Sequence, residues 1–215
     1  MVTTTNAPAP APAGRAPLRP SLRAGLVLAT AVSAVVFVAL AVVVWHHHGH
    51  TVPSVVTTAP TGVRLQRVAW LGSPQFVFTV AGVMALVALV RRDVFTAVLW
   101  AAGPALAGLC GIGAKHLVGR TSGGELSYPS GHATLVAALV AVIAVLAFRA
   151  VSWRMATAVS VVLAVVPVAV CVALVRLGWH FRTDVVGGVA LGVGVVCGLA
   201  LVLDRVLTSP KIRTN

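Results

Sequence analysis

Six apolar runs, each long enough to cross a lipid bilayer, dominate this sequence of 215 residues. A transmembrane helix needs about 20 consecutive apolar residues. The runs lie at Ala24–Trp45, Pro74–Val90, Val94–Ala114, Pro129–Phe148, Met155–Leu174 and Thr183–Leu203. Because a helix satisfies its own backbone hydrogen bonds inside lipid, the sequence predicts an all-α bundle of six transmembrane helices.

The composition supports a membrane protein. Hydrophobic residues make up 59% of the chain and charged residues only 9%, whereas a soluble domain has about 25% charged residues. The net charge of +12 would suggest a nucleic-acid partner in a soluble protein. Here the basic residues lie between the apolar runs, so we expect them to set the topology and predict the bilayer, not nucleic acid, as the partner.

The distribution of Lys and Arg predicts the orientation. With the N-terminus inside, ten basic residues fall on the inner side and six on the outer side, as the positive-inside rule requires. The first run is longer than the apolar core of a signal peptide and lacks a convincing cleavage site. We therefore expect a retained helix, a location in the plasma (inner) membrane, and cytoplasmic N- and C-termini.

The chain divides into a membrane domain and two tails. Residues 1–22 form a Pro/Ala-rich segment that predicts a disordered cytoplasmic tail. Residues 23–207 form the six-helix domain, and residues 208–215 a second cytoplasmic tail. In the last run, Gly188 and Gly192, then Gly194 and Gly198, are spaced four apart, which predicts a close-packing helix face.

Three segments on the predicted outer side carry polar side chains. They contain Lys115, His116 and Arg120 after the third run, Ser130 and His132 at the start of the fourth, and Arg176, His180, Arg182 and Asp184 between the fifth and sixth. In a compact bundle these segments meet at one face. The sequence therefore predicts a site there, within residues 115–184.

The first two segments suit a phosphate group. Lys115 and Arg120 offer a point charge and a bidentate fork. If Pro129 takes the first helical position, the free amides of Gly131 and His132 point outward with the positive end of the helix dipole. We expect these groups to bind an anionic headgroup whose lipid tail stays in the bilayer.

The third segment supplies a nucleophile. His180 and Asp184 are spaced i,i+4, so their side chains would meet on a helix. A carboxylate that accepts the Nδ1–H hydrogen bond leaves Nε2 free to attack, and His132 could act as the general acid and base. The pair could also be a structural contact at the interface.

These motifs resemble the type 2 phosphatidic acid phosphatase (PAP2) superfamily, which also includes vanadium haloperoxidases. Pro129-Ser130-Gly131-His132 is identical to the second family motif, and His180 and Asp184 match the end of the third. The resemblance covers about residues 74–203. It implies a lipid phosphatase without metal or cofactor that works through a phosphohistidine on His180, with His132 and Asp184 also catalytic. Lys115, Arg120, Ser130, Gly131 and Arg176 would bind the phosphate.

The sequence departs from the family pattern at two points. Ser122-Gly123 stands where the family has Arg-Pro, and Leu174 stands where it has Arg. Arg176 is the expected replacement, because on a helix it would lie one turn before His180. The missing arginines leave open a non-catalytic lipid-phosphate binding or transport protein of the same fold.

Other roles are open for several residues. The His46–His50 tract could bind metal, although adjacent histidines lack a fixed ligand geometry. Glu125 could gate the site or simply aid solubility. A nucleophilic Ser130 is excluded because Ser130 and His132 do not face each other on a helix. Phosphatidate, phosphatidylglycerol phosphate and polyprenyl diphosphate all fit as lipid substrates, and the sequence does not determine the oligomeric state.

Overall fold

A computed structural model describes residues 17–45, 59–122 and 124–209. The elements are α1 (Pro20–Trp45), α2 (Ala59–Trp70), α3 (Pro74–Val90), α4 (Val94–Val118), β1 (Thr121–Ser122), β2 (Glu125–Leu126), α5 (Gly131–Ala150), α6 (Trp153–Arg176) and α7 (Arg182–Thr208). Most of the two predicted tails, the His46–His50 tract and Gly123 lie outside the described residues.

Six segments of the described chain are long and apolar enough to cross a membrane, as the sequence predicted. Their outward faces carry large apolar side chains, such as Leu28 and Val35 of α1, which are about two-thirds exposed. Lipid is the solvent that accommodates such a surface, because a soluble monomer rarely exposes wide apolar patches. The protein is therefore a multi-pass membrane protein with an all-α fold.

The observed helices differ from the predicted runs at several boundaries. α1 begins at Pro20, so Pro20–Leu22 belong to the helix and not to the predicted tail. α4 continues to Val118 and includes Lys115; it ends at Gly119, whose φ of +67° suits glycine. α2 was not predicted as an element: its Gln and two Arg residues leave too few apolar residues for a span.

The glycines of α7 allow close packing on two sides. A Cβ atom at Gly192 would lie 2.9 Å from the backbone nitrogen of Ala138 in α5, and one at Gly194 would lie 3.0 Å from Cβ of Ser33 in α1. Because no side chain fits in these gaps, the backbones approach closely. α7 therefore lies between α1 and α5. Of the six spans, α5 is the most buried.

The two ends of the bundle differ. At one end, which we call the histidine end, the last turns of α4 and α6 meet the first turns of α5 and α7. At the opposite end, which we call the far end, the buried Asp204 accepts from the Leu18 amide at 2.8 Å and pairs with Nε of Arg23 at 2.6 Å. The polar residues expected to act together all lie at the histidine end.

Candidate active site

The motif residues of α5 are held by the start of α7. Ser130 is the N-cap of α5 and is fully buried. Its backbone amide donates to the carbonyl oxygen of Asp184 at 2.9 Å, and its own carbonyl accepts from Oγ1 of Thr134 at 2.8 Å. The Tyr128–Pro129 peptide bond that precedes it is cis. The bond between the Ser130 amide and the Asp184 carbonyl joins the start of α5 to α7.

The helix starts later than the sequence predicted. Pro129 is not the first helical residue, because Ser130 is the cap and Gly131 is the first residue of α5. The amides that the sequence analysis expected to be free are nevertheless free among the described residues. The amides of Gly131 and His132 have no hydrogen-bond partner in the described part of the chain, and the space beside Cα of Gly131 is open. Two free amides at a helix N-terminus can bind an anion.

Asp184 organises the other half of the site. It occupies the third position of α7, is completely buried, and accepts the backbone N–H of Phe181 at 3.1 Å through Oδ2. His180 lies before the helix, so the pair lacks helical i,i+4 geometry, although the two side chains do lie close to each other. Its Nδ1 lies 3.7 Å from Oδ2 of Asp184, an ion-pair distance that is too long for a hydrogen bond. Nδ1 is buried without a hydrogen-bond partner among the described residues.

Arg120 joins Asp184 from the loop after α4. Its Nη1 donates to Oδ1 of Asp184 at 2.8 Å and to Oγ1 of Thr183 at 2.6 Å. Its guanidinium group lies 4.1 Å from the centroid of the Phe181 ring. The sequence predicts that the Arg120 side chain binds a phosphate, but in the structure its Nη1 is engaged within the protein. Nε is buried without a partner in the described chain.

Lys115 and His132 complete the cluster. Nζ of Lys115 donates to the carbonyl oxygen of Leu126, and its charge is within electrostatic range of Asp184. His132 is half-buried, with its ring centroid 6.1 Å from that of Trp179. It is within electrostatic range of both His180 and Lys115. The two histidines and the lysine are thus brought to one place by α4, α5 and the loop between α6 and α7.

Arg176 is not held in this cluster. It is the last residue of α6, and the chain then turns through Gly178, whose φ is +71°. The predicted helical turn from Arg176 to His180 is therefore wrong. The Arg176 side chain is exposed and forms no hydrogen bond or ion pair with a described residue. His116 and Arg182 are also exposed, as expected for interfacial residues.

Several aromatic residues support the site and were missed in the sequence. Tyr128 is fully buried, stacks on Phe37 with centroids 5.7 Å apart, and donates its hydroxyl proton to the Phe37 carbonyl at 2.8 Å. Burial, and then the charge of Asp184, raise the pKa of the Tyr128 phenol, so it remains a donor. The sequence signal that could have identified these residues is their position, because Tyr128 and Phe181 directly flank the motif residues.

The described residues contain no group of three His, Cys, Asp or Glu side chains that could hold a metal ion. Cationic side chains and backbone amides surround the two histidines instead. Such a set can stabilise the negative charge of a phosphoryl group. The His46–His50 tract lies outside the described residues, so its predicted role stays untested.

Comparisons with known proteins bear on the family and the fold. The family profile described as "PAP2 superfamily" matches residues 77–206. The fold is similar to the crystal structure of a transmembrane PAP2-type phosphatidylglycerolphosphate phosphatase from Bacillus subtilis. The TM-score is 0.58 at 19% identity, over 91% of this chain and 98% of that one. No curated protein sequence matches significantly.

Proposed function

Because the chain belongs to the PAP2 superfamily, we propose that it is a membrane phosphatase that hydrolyses a lipid phosphate or diphosphate at the histidine end. The observation that carries the proposal is the convergence of His132 and His180 with Lys115 and two free helix amides. The name of the similar Bacillus subtilis structure supports it. A phosphate bound at the histidine end can keep its lipid tail among the membrane-spanning helices.

The two histidines divide the reaction. Nε2 of His180 attacks the phosphorus atom, a phosphohistidine forms, and the bond to the leaving oxygen breaks. His132 donates a proton to that oxygen and later removes one from water. The water oxygen then attacks phosphorus, the N–P bond breaks, and inorganic phosphate leaves. No metal or cofactor takes part in this scheme.

Asp184 orients His180 and stabilises its positive charge. The 3.7 Å gap between Nδ1 and Oδ2 must shorten to about 3 Å for a hydrogen bond. Catalytic hydrogen bonds are often long before substrate binds and tighten in the complex. Arg120 and the Phe181 amide hold the carboxylate still. Asp184 can therefore stabilise the positive charge that develops on the His180 ring as Nε2 forms its bond to phosphorus.

The phosphate ligands follow from the free donors. Lys115 supplies a charge, and the amides of Gly131 and His132 supply donors at the α5 terminus. The Ser130 hydroxyl accepts the Ala133 amide at 3.5 Å and keeps its own proton to donate. The unpartnered Nε of Arg120 is a further donor. Arg176 would reach the phosphate only through a different side-chain conformation.

We further propose that the histidine end faces outward from the plasma membrane, with both termini in the cytoplasm. Ten basic residues then lie inside and six outside, in agreement with the positive-inside rule. A lipid phosphate in the outer leaflet would enter from the side of the bundle. Its charged group would remain at the water interface.

The second candidate is a lipid-phosphate binding or transport protein without turnover. The observation that favours it is that Ser122 and Leu174 stand where the family has arginines. Phosphate release by purified protein from phosphatidate, phosphatidylglycerol phosphate and polyprenyl diphosphate distinguishes the two, with His180→Ala as the blank. Release above this blank supports the phosphatase. Binding of these lipids without release supports the second candidate.

A further inference from the structure

A long groove opens on the side of the bundle between α1, α5, α6 and α7, with a volume of about 800 Å³. At the histidine end its lining includes Val185, the residue after Asp184, and Val172 of α6. Toward the far end it includes Phe148 of α5 and Trp153 of α6. The groove therefore begins beside the first turn of α7, next to the candidate active site, and extends away from it through the membrane.

The length of the groove exceeds one leaflet. The part of α6 from Trp153 to Val172 rises about 28 Å at 1.5 Å per residue, whereas the hydrocarbon core of a bilayer is about 30 Å thick. An acyl chain that stays in one leaflet reaches about half of that thickness, roughly 15 Å. A phospholipid at the histidine end would therefore leave the far half of the groove empty.

The lining favours a hydrocarbon chain that enters from the bilayer. Its residues are apolar except at the far end, where Arg19 and Ser21 join the lining. Val168 and Val172 on the rim are 60% and 51% exposed, so the groove is open sideways to lipid. A chain lying in it would cover apolar side chains on four helices.

The charges at the histidine end favour a headgroup more negative than a single phosphate. Four exposed arginines, none paired with a described acidic residue, lie on the segments around the site: Arg64, Arg67, Arg176 and Arg182. The turn after α2 packs on the site directly, since a Cβ at Gly72 would lie 2.7 Å from the His132 carbonyl oxygen. This arrangement attracts a diphosphate more strongly than a monophosphate ester.

We propose that the groove binds the chain of a long polyprenyl diphosphate, and that this is the preferred substrate; the inference rests on the phosphatase function proposed above. His180 would take the terminal phosphoryl group as the phosphoanhydride P–O bond breaks. The leaving polyprenyl monophosphate would receive its proton from His132. Water then releases inorganic phosphate from the phosphohistidine, so the two products are polyprenyl monophosphate and phosphate.

Two alanines of α6 offer a matched test of the groove. Ala164 lines it and Ala158 does not, and both side chains are exposed, so a bulky residue at either position points away from the core. In Ala164→Trp we expect kcat/KM for a long polyprenyl diphosphate to fall about tenfold or more. The reason is that displacing only two methylene groups of the lipid chain from the groove already weakens binding by about tenfold. Turnover of farnesyl diphosphate, which has the same headgroup on a short chain, should be unchanged. Ala158→Trp should leave both unchanged.

Each outcome separates the two proposals. If Ala164→Trp keeps the wild-type ratio of kcat/KM between the long and the short substrate, including by an equal loss with both, the groove site is overturned. The phosphatase proposal then still stands. A changed oligomeric state with normal turnover would make the groove a contact between two copies. If the wild type releases no phosphate from either lipid, the phosphatase proposal fails. Binding of radiolabelled polyprenyl monophosphate to wild type and Ala164→Trp then still tests the groove, which predicts weaker binding in the variant.

Discussion

Nη1 of Arg120 lies 2.8 Å from Oδ1 of Asp184, and both side chains are almost fully buried, with 8% and 0% exposure. This ion pair links the loop after α4 to the first turn of α7. It also fixes the carboxylate that faces His180. The pair therefore connects the stability of the histidine end to the geometry of the proposed nucleophile.

Breaking this pair should destabilise the protein. Arg120→Ala should lower the free energy of unfolding by about 3–5 kcal/mol, because it leaves a buried carboxylate without its counter-charge. Arg149→Ala is the control, since its pair with Asp93 is longer, 3.5 Å, and partly exposed; its loss should be about 1 kcal/mol or less. Thermal unfolding in detergent measures both. Equal losses would contradict the assigned role of Arg120.

Replacing the whole pair separates stability from activity. Arg120→Met with Asp184→Leu should recover most of the stability lost in Arg120→Ala, because no buried charge remains. Phosphate release should stay low, because His180 lacks its carboxylate. Recovery of activity in the double variant would mean that Asp184 has only a structural role.

The two histidines should differ in phosphoenzyme formation. His180→Ala should form no covalent intermediate, because the attacking nitrogen is absent. His132→Ala should accumulate phosphoenzyme from nitrophenyl phosphate, whose leaving group needs no proton, since the later water attack lacks its base. The measurement is acid-labile, base-stable radiolabel on quenched protein, with the exposed His116→Ala as the control. Label on His180→Ala would reverse the assignment.

Chelators and vanadate test how negative charge is stabilised. If Lys115 and the α5 amides perform the electrostatic work, EDTA should leave phosphate release unchanged. Vanadate adopts the five-coordinate geometry of phosphoryl transfer and should inhibit. Loss of activity in EDTA that a divalent ion restores would contradict the scheme, and would direct attention to the His46–His50 tract.

The orientation can be measured by labelling single cysteines. The background should lack Cys110, Cys171 and Cys197, the free cysteines of the chain. Thr121→Cys, in β1 at the histidine end, should react with a membrane-impermeant thiol reagent in intact cells. Ser152→Cys, between α5 and α6 at the far end, should react only after the cells are opened. The opposite pattern would place the site in the cytoplasm.

Two glycines of α7 should respond differently to alanine. At Gly192 a Cβ would lie 2.9 Å from the Ala138 nitrogen, so Gly192→Ala should cost about 1–3 kcal/mol of stability. At Gly198 the nearest atom would be 3.7 Å away, and Gly198→Ala should gain up to about 1 kcal/mol from helix propensity. Thermal unfolding of both variants measures the difference. Similar stability would contradict the close packing of α7 on α5.

The sequence by itself determined the six spans and the end at which the polar motifs meet. Span length and apolar content are local properties, and lipid leaves a chain few alternatives to a helix. The order of Lys115, His132 and His180 along antiparallel helices then brings them to one end. Turns were harder to predict: Gly119 and Gly178 follow helix ends with positive φ angles, and the turn at Gly178 changes the positions expected for Arg176 and His180.

Only the tertiary structure decided which side chains pair. Arg120 and Asp184 are 64 residues apart, and Tyr128 and Phe37 are 91 apart. No local periodicity relates such positions, because their distance depends on how closely α7 approaches α5 and α1. The same approach leaves the groove between α1, α5, α6 and α7, whose lining in the sequence is indistinguishable from any other run of Ala, Val and Leu.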